Sequence, residues 1–384
     1  MNVVRLANYV APASGGLRTA LRELGAGYLA AGHEPVLIVP GPRAERRDTE
    51  QGLVITVPGV PVPGTGGYRA ITARSSLRRL LEGLEPDRLE VSDRTTLGWT
   101  GAWARQHGIR SMMVSHDSLA ALAQMFRPPG LPVRPLVDRL NRNTAASYDV
   151  VVCTTAWAAA EFRRLGVPNL VQVPLGVDLT RFHPAHADEN LRARLAPGGW
   201  PVLVHCSRLS PEKRPQRALA ALAELRRRGV PAVLIVAGDG PLRRSLEAKA
   251  AQLPVSFLGH VANRGLLAQL LATADVVIAP GPAETFGLSA LEALASGTPV
   301  VVSSRGALPE VIGQGGVAAE ETDAAYADAI ECLLRRDVTE RRRAARAGAE
   351  RFGWPAAVDG FLRAHGLNRV PHGGAGMPAI GVGT

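Results

Sequence analysis

The segment PGPAETFGLSALEALASGTPVVV, residues 280–302, decides how the chain is read. A turn rich in Pro and Gly opens it, an Ala/Leu-rich stretch of helical spacing follows, and a short β-branched run closes it. Glu284 and Glu292 stand eight residues apart around the start of that expected helix. A helix N-terminus presents unpaired N–H groups and a partial positive charge, which suit a phosphate. Carboxylates at the same place suit hydroxyl groups, which they hold as hydrogen-bond acceptors. A guest carrying both, such as a nucleotide sugar, meets both requirements.

Outward from this segment, short β-branched runs alternate with longer helical patterns. The first half offers strands at 3–7, 36–39, 54–57, 89–91, 111–115 and 150–153, and a helix at 17–31. The second half repeats the theme, with strands at 202–206, 233–237, 255–258, 276–279 and 300–302. Helical patterns at 215–228, 242–252, 266–273 and 288–295 separate those runs. Near-continuous apolar strands alternating with helices predict parallel sheets covered on both faces, hence an α/β fold of two doubly wound, Rossmann-like domains. Such domains bind ligands at strand C-termini, which face each other across a cleft.

The polar, Pro-interrupted stretch around 180–200 places the domain boundary near residue 186. This divides the chain into a first domain, 1–186, and a second, 187–352. A closing helix is expected within 353–367, and Gly-rich, aperiodic residues 368–384 read as a disordered tail.

At 384 residues the chain is long enough for two cores. Its net charge of +10 is spread over both halves and biases it toward anionic partners: phosphorylated substrates, anionic lipid surfaces or nucleic acid. Aromatic residues make up 4% and no stacking or zinc-finger pattern occurs, which argues against nucleic acid. Cys153, Cys206 and Cys332 are far apart in apolar runs and read as buried, reduced thiols of a cytoplasmic protein. The N-terminus reads as a first strand rather than a signal peptide, and no run of 18 apolar residues exists to span a membrane.

Three further constellations carry chemistry beside the opening segment. Ala13-Ser14-Gly15-Gly16 follows the first strand, where paired glycines let the backbone approach a ligand; a plain tight turn fits as well. Ser115-His116-Asp117 closes the fifth strand, where either a substrate-contacting or a loop-capping histidine fits. Arg208 and Lys213 lie five residues apart on a loop entering a helix and can converge on a diphosphate. Only one other lysine, Lys249, occurs in an otherwise Arg-based chain, so Lys213 stands out against a reading as a solvated basic loop. Finally, a helix running from about Phe286 would set Glu292 roughly 12 Å along its axis from Glu284. That exceeds the ~5–9.5 Å of a glycosidase acid–base pair, so the two carboxylates grip different parts of one elongated ligand.

At these residues the chain resembles the family 4 retaining glycosyltransferases of GT-B fold. The marks are the Gly15-Gly16 loop, His116, Arg208/Lys213, Gly238-Asp239-Gly240-Pro241, Gly259-His260-Val261 and Glu284/Glu292, in the family's order over nearly the whole chain. The resemblance implies that Arg208 and Lys213 neutralise a departing diphosphate. It gives Glu284, with the backbone N–H groups of Phe286, Gly287 and Leu288, the transferred sugar and distal phosphate. Glu292 would accept the ribose hydroxyls, with Gly238 and the Gly259–Val261 turn beside the nucleotide and Val261 against the base. Gly15 and Gly16 would approach the phosphates from the first domain, and His116 the sugar's reactive carbon. No metal or other cofactor is implied. Retention would proceed by same-face attack, with the leaving phosphate taking the acceptor proton.

Within the family, the Tyr9 loop, Gly15-Gly16 and His116 look like those of actinobacterial mannosyltransferases that use GDP-mannose. This implies a lipid-linked or inositol-type alcohol acceptor at the inner membrane face. The pattern departs at Gly281-Pro282-Ala283, which leaves the donor sugar open. Residues 69–84 form a basic amphipathic segment whose Arg74, Arg78 and Arg79 could rest on an anionic membrane; a helix packed on the sheet with a solvated Arg face fits equally. A sugar-nucleotide 2-epimerase would share the architecture but needs acids and bases for proton removal that are not evident. A non-catalytic nucleotide-binding, membrane-associated protein is the remaining alternative.

Overall fold

A computed structural model describes residues 1–10, 15–63, 67–116, 118–126 and 132–370. Its strands, in chain order, are β1 (Asn2–Leu6), β2 (Glu34–Gly41), β3 (Glu45–Thr49), β4 (Gly52–Pro58), β5 (Val60–Pro61), β6 (Arg69–Ala70), β7 (Arg88–Val91), β8 (Arg110–Ser115), β9 (Val150–Cys153) and β10 (Leu170–Gln172). They continue with β11 (Val202–Cys206), β12 (Val233–Ala237), β13 (Val255–Gly259), β14 (Val276–Ala279), β15 (Val300–Ser303) and β16 (Gly316–Ala319).

Two main sheets form. The first has the order β10-β9-β8-β7-β1-β2-β4-β3, the second β13-β12-β11-β14-β15-β16, and β5 pairs with β6 in a small ribbon. All pairings in the main sheets are parallel except β3–β4. The chain is a GT-B fold of two Rossmann-like domains. Parallel strands need crossovers that cover both faces, which is why the central strands VVRL, VLIVA and VVVS are buried on both sides.

The antiparallel β3 (ERRDT) escapes the apolar-run criterion because every residue in it is exposed at the sheet edge. Cys332 is also exposed, whereas Cys153 is buried, so the expectation of three buried thiols fails at Cys332. Cys332 lies near the end of the helix Asp323–Arg335, whose buried face is carried by Tyr326, Ile330 and Leu333 instead.

The last helix, Trp354–His365, returns to the first sheet. One apolar cluster runs from Val3, Met112 and Val152 through Trp354, Val358 and Phe361 to Val204 and Leu291 of the second half. Beneath that helix lies a sealed polar group. Arg5 Nε bonds Glu90 Oε1 at 2.9 Å, while Tyr28 donates to Oε2 at 2.8 Å and His365 Nε2 lies 3.2 Å from the same oxygen. Burial pushes the Glu90 carboxyl up, but Arg5, His365 and Tyr28 overcome this and hold it at about 2. The chain stays pinned beyond the helix. His33 Nε2 bonds the Asn368 carbonyl at 3.0 Å, and Val370 N–H donates to Ala31 at 2.8 Å. The segment expected to be disordered from 368 therefore begins ordered, and its remainder, 371–384, lies outside the described residues.

Candidate active site

A cleft of about 980 Å³ separates the two sheets at their strand C-termini. Its second-domain wall carries Arg208, Lys213, Gly238, Val261, Glu284, Leu288 and Glu292, and its first-domain wall Gly15, Gly16, Arg18 and Arg22. Residues far apart in sequence thus meet in one space. Tyr9, His116, Phe286 and Gly287 are not among the lining residues. Ala13, Ser14 and Asp117 fall outside the described residues.

The loop after β14 is built around Gly287. This residue has φ +76°, and a Cβ there would lie 2.2 Å from Leu308 Cδ2, so both backbone and space demand glycine. It caps a helix that begins at Leu288 rather than near Phe286. Glu284 therefore sits on the loop, and the straight-helix spacing between Glu284 and Glu292 does not apply. The Phe286 ring is buried against Phe352, edge to face at 5.7 Å, so only its backbone is available to a ligand. Leu288 reaches across the cleft: its Cδ1 lies 3.6 Å from where a Gly16 side chain would begin. Gly238 is equally constrained, because a Cβ would come within 1.8 Å of the Ser207 carbonyl.

Lys213 ends the short 3₁₀ turn Pro211–Lys213, and Arg214, with φ +47°, turns the chain away after it. Its Nζ bonds Glu284 Oε1. Both side chains keep some exposure, 28% and 17%, so an incoming anion can reach the cation. Arg208 projects from the loop after β11 and stacks on the Tyr68 ring of the first domain at 4.4 Å. Glu292 is nearly sealed and takes a 2.6 Å bond from Arg264. Burial pushes the Glu292 carboxyl up, and Arg264 opposes that shift. The spacing of the two glutamates identified them, but not their partners, because Lys213–Glu284 and Arg264–Glu292 are closed only by the fold.

His116 is not among the residues lining the cleft, and it meets the loop after β14 through its backbone. Its carbonyl accepts from the Thr285 hydroxyl, and its Nε2 is buried without a hydrogen-bond partner. From the other side, Thr154 and Thr155 donate to the Thr285 carbonyl at 3.2 and 2.9 Å. Glu310 adds a cross-domain cap, accepting from the N–H groups of Ala156 and Trp157 at 2.9 and 3.2 Å. This clasp sets the loop after β14 against the first domain, and Thr285 was not singled out by sequence because its partners lie more than 100 residues away. Burial lowers His116 and His205 to about 4, below the ordinary 6.5. The unfolded chain takes these protons first, so acidification from pH 6.5 toward 4 favours unfolding.

Tyr9 is one of three described non-glycine residues with positive φ, at 57°, and its hydroxyl meets Thr95 Oγ1 at 3.2 Å. In the helix Arg74–Leu84, Leu77 and Leu81 are buried in the first-domain core while Arg74, Arg78 and Arg79 are exposed. Its principal apolar face is thus committed to the sheet, as in the packed-helix reading. Among the described residues no helix is long and apolar enough to cross a membrane, and no His/Cys/Asp/Glu group could hold a metal.

Comparison with known proteins places this architecture. Residues 187–351 match the family "Glycosyl transferases group 1", and residues 15–176 match "Glycosyl transferase 4-like domain". The chain is 49% identical over 372 residues to a GDP-mannose-dependent alpha-(1-6)-phosphatidylinositol dimannoside mannosyltransferase of Mycobacterium tuberculosis, covering 96% of this chain and 97% of that protein. It is 29% identical to the corresponding monomannoside mannosyltransferase of Mycolicibacterium smegmatis, over 89% of this chain and 91% of that one. Among solved structures, sucrose-phosphate synthase from Thermosynechococcus elongatus superposes with a TM-score of 0.76 at 21% identity, covering 93% and 96% of the two chains. Anabaena HepE in complex with UDP gives 0.71 at 18%, covering 94% and 99%. These full-length similarities show that the chain, built on a GT-B fold, belongs to the glycosyltransferases, with a glycosyltransferase 4-like first domain and a group 1 second domain.

Proposed function

We propose that this glycosyltransferase moves mannose from GDP-mannose to a lipid-linked phosphatidylinositol mannoside, with retention of configuration. The observation that carries the proposal is the Lys213–Glu284 pair at the cleft wall, in a chain 49% identical throughout to a dimannoside mannosyltransferase. Residues 1–186 serve as the acceptor-side domain and 187–352 as the donor domain. The donor's diphosphate lies between Lys213, Arg208 and the N–H groups of Phe286, Gly287 and Leu288. Glu284 accepts from the sugar's hydroxyls, and Glu292 from those of the ribose.

Gly238 and Val261 flank the nucleotide, while Gly15 and Gly16 admit the phosphates from the opposite wall. The acceptor hydroxyl attacks the anomeric carbon on the face of the departing phosphate, which takes its proton. Catalysis then rests on charge stabilisation and alignment. His116, outside the cleft lining and with its carbonyl held by Thr285, fits positioning of residues 284–286 rather than direct contact with the sugar in this state. Tyr9, on the loop after β1 and outside the cleft lining, fits an acceptor contact.

We place the reaction at the cytoplasmic face of a membrane, with the exposed Arg74, Arg78 and Arg79 meeting anionic headgroups. With Leu77 and Leu81 turned into the core, that contact is chiefly electrostatic and weakens with salt. The test is an assay of the purified chain with GDP-mannose, UDP-glucose and GDP-glucose against phosphatidylinositol, its mono- and dimannosides, and free inositol. Transfer confined to GDP-mannose and a mannosylated lipid supports the proposal. Equal transfer from UDP-glucose, or turnover of donor to an epimer without acceptor, overturns it.

A further inference from the structure

Among the carboxylates that line the cleft, Glu292 is the most buried, with 8% of its side chain exposed against 17% for Glu284 and more than half for Glu45 and Asp239. Holding two ribose hydroxyls requires it to be ionised, because a carboxylic acid surrenders part of its acceptor capacity to its own proton. Burial works against that and pushes the carboxyl up. Arg264 is placed to counter it. Asn263 caps the helix Arg264–Thr273 through the N–H groups of Gly265 and Leu266, fixing Arg264 in the first turn. The guanidinium lies over the Phe182 ring at 4.9 Å and donates to Oε1 at 2.6 Å, with Nε buried and without a partner. This arrangement holds the cation against one oxygen and leaves Oε2 for a ligand.

We propose that Arg264 is a positioning residue: it keeps Glu292 ionised and aimed at the ribose of the donor, acting through the carboxylate rather than on the nucleotide. The inference rests on the reading of Glu292 as the ribose acceptor. The other groups acting on Glu292 do not substitute for Arg264. Arg22 and Glu23, on the facing helix Gly16–Ala30, pair with each other at 2.5 Å and exert opposite influences on it. The Cys206 thiol on β11 is pushed up to about 12, first by its own burial and then by Glu292, and stays uncharged.

The experiment is calorimetric titration of the full chain with GDP between pH 6.5 and 9, for the wild type, Arg264→Met, Arg264→Lys, Glu292→Gln and the Glu292→Gln/Arg264→Met double variant. Arg264→Met is expected to weaken GDP about tenfold at pH 6.5, the cost of one charge-assisted hydrogen bond, and no more than about threefold at pH 9, where Glu292 ionises unaided. The wild type should vary little over that range, and Arg264→Lys should recover most of the affinity. Glu292→Gln should bind about tenfold more weakly at every pH, with less than a twofold further loss in the double variant. A loss in Arg264→Met that ignores pH, or that adds in full to Glu292→Gln, overturns the proposal by showing that Arg264 acts on the nucleotide or the fold. If Arg264→Met does not fold, an Arg264→Lys variant whose affinity falls without any pH dependence overturns it as well. Wild-type affinity in Glu292→Gln is a separate failure, of the ribose reading itself.

Discussion

Lys213→Met is expected to lower kcat by roughly a thousandfold, about 4 kcal/mol, while leaving the fold intact. Two effects act together. The departing diphosphate loses a cation that its developing charge needs most in the transition state, when the bond to the sugar is breaking. The variant also strips Glu284 of its partner and leaves a bare carboxylate beside an anionic leaving group. Arg208, held on the Tyr68 ring, already serves the same diphosphate in this reading and so supplies no replacement for the lost charge. Stability should change little, since exposed or half-exposed ion pairs contribute about 0–1 kcal/mol and both partners keep access to water. Steady-state kinetics beside a urea unfolding curve separates the two. A variant with most of its turnover retained would contradict the role given to Lys213, and a collapsed unfolding curve would make it structural.

The second large effect concerns the polar group beneath the closing helix. Glu90→Ala should destabilise the protein by about 3–5 kcal/mol, because it leaves Arg5 charged and unpaired in a place with 1% exposure. It also removes the acceptor of Tyr28 and the partner of His365. The loss has a pH signature. The folded carboxyl sits near 2, below its ordinary value of 4.5, so its stabilisation is present above pH 4.5 and disappears as pH falls toward 2. Wild type and variant should therefore converge in acid. Urea unfolding at pH 7 and at pH 3 checks both statements, and a loss under 1 kcal/mol at pH 7 would show that the group is not essential to holding the closing helix.

Much of the fold was readable because parallel central strands are buried on both faces and so carry unbroken apolar runs, as VLIVA and VVIA do. The edge strand ERRDT carries no such signal, since its side chains face water and its partner alone defines it. The helix start shows a different limit. Its periodicity was plain, but the first turn depends on Gly287 packing against Leu308, a contact made 21 residues further along. In the site, residue types and local spacing revealed Arg208, Lys213, Glu284 and Glu292. The pairing of Lys213 with Glu284, the role of Arg264 and the clasp on Thr285 depend on contacts across 28 to 169 residues, which no local pattern encodes. His116 was recognisable as a strand-end histidine, yet only the fold shows its carbonyl held by Thr285 and its side chain absent from the cleft lining.

Retaining mannosyl transfer driven by stabilisation of a departing diphosphate is the proposal on which every role given to the cleft depends. The most direct test is to isolate the lipid product formed from GDP-mannose and read the anomeric configuration of its new linkage by NMR, with GDP release measured alongside. An α-linked mannose is expected, matching the α-configured donor, with one GDP released per sugar transferred and none without acceptor. A β-linked product, or GDP release that does not depend on the acceptor, would contradict it.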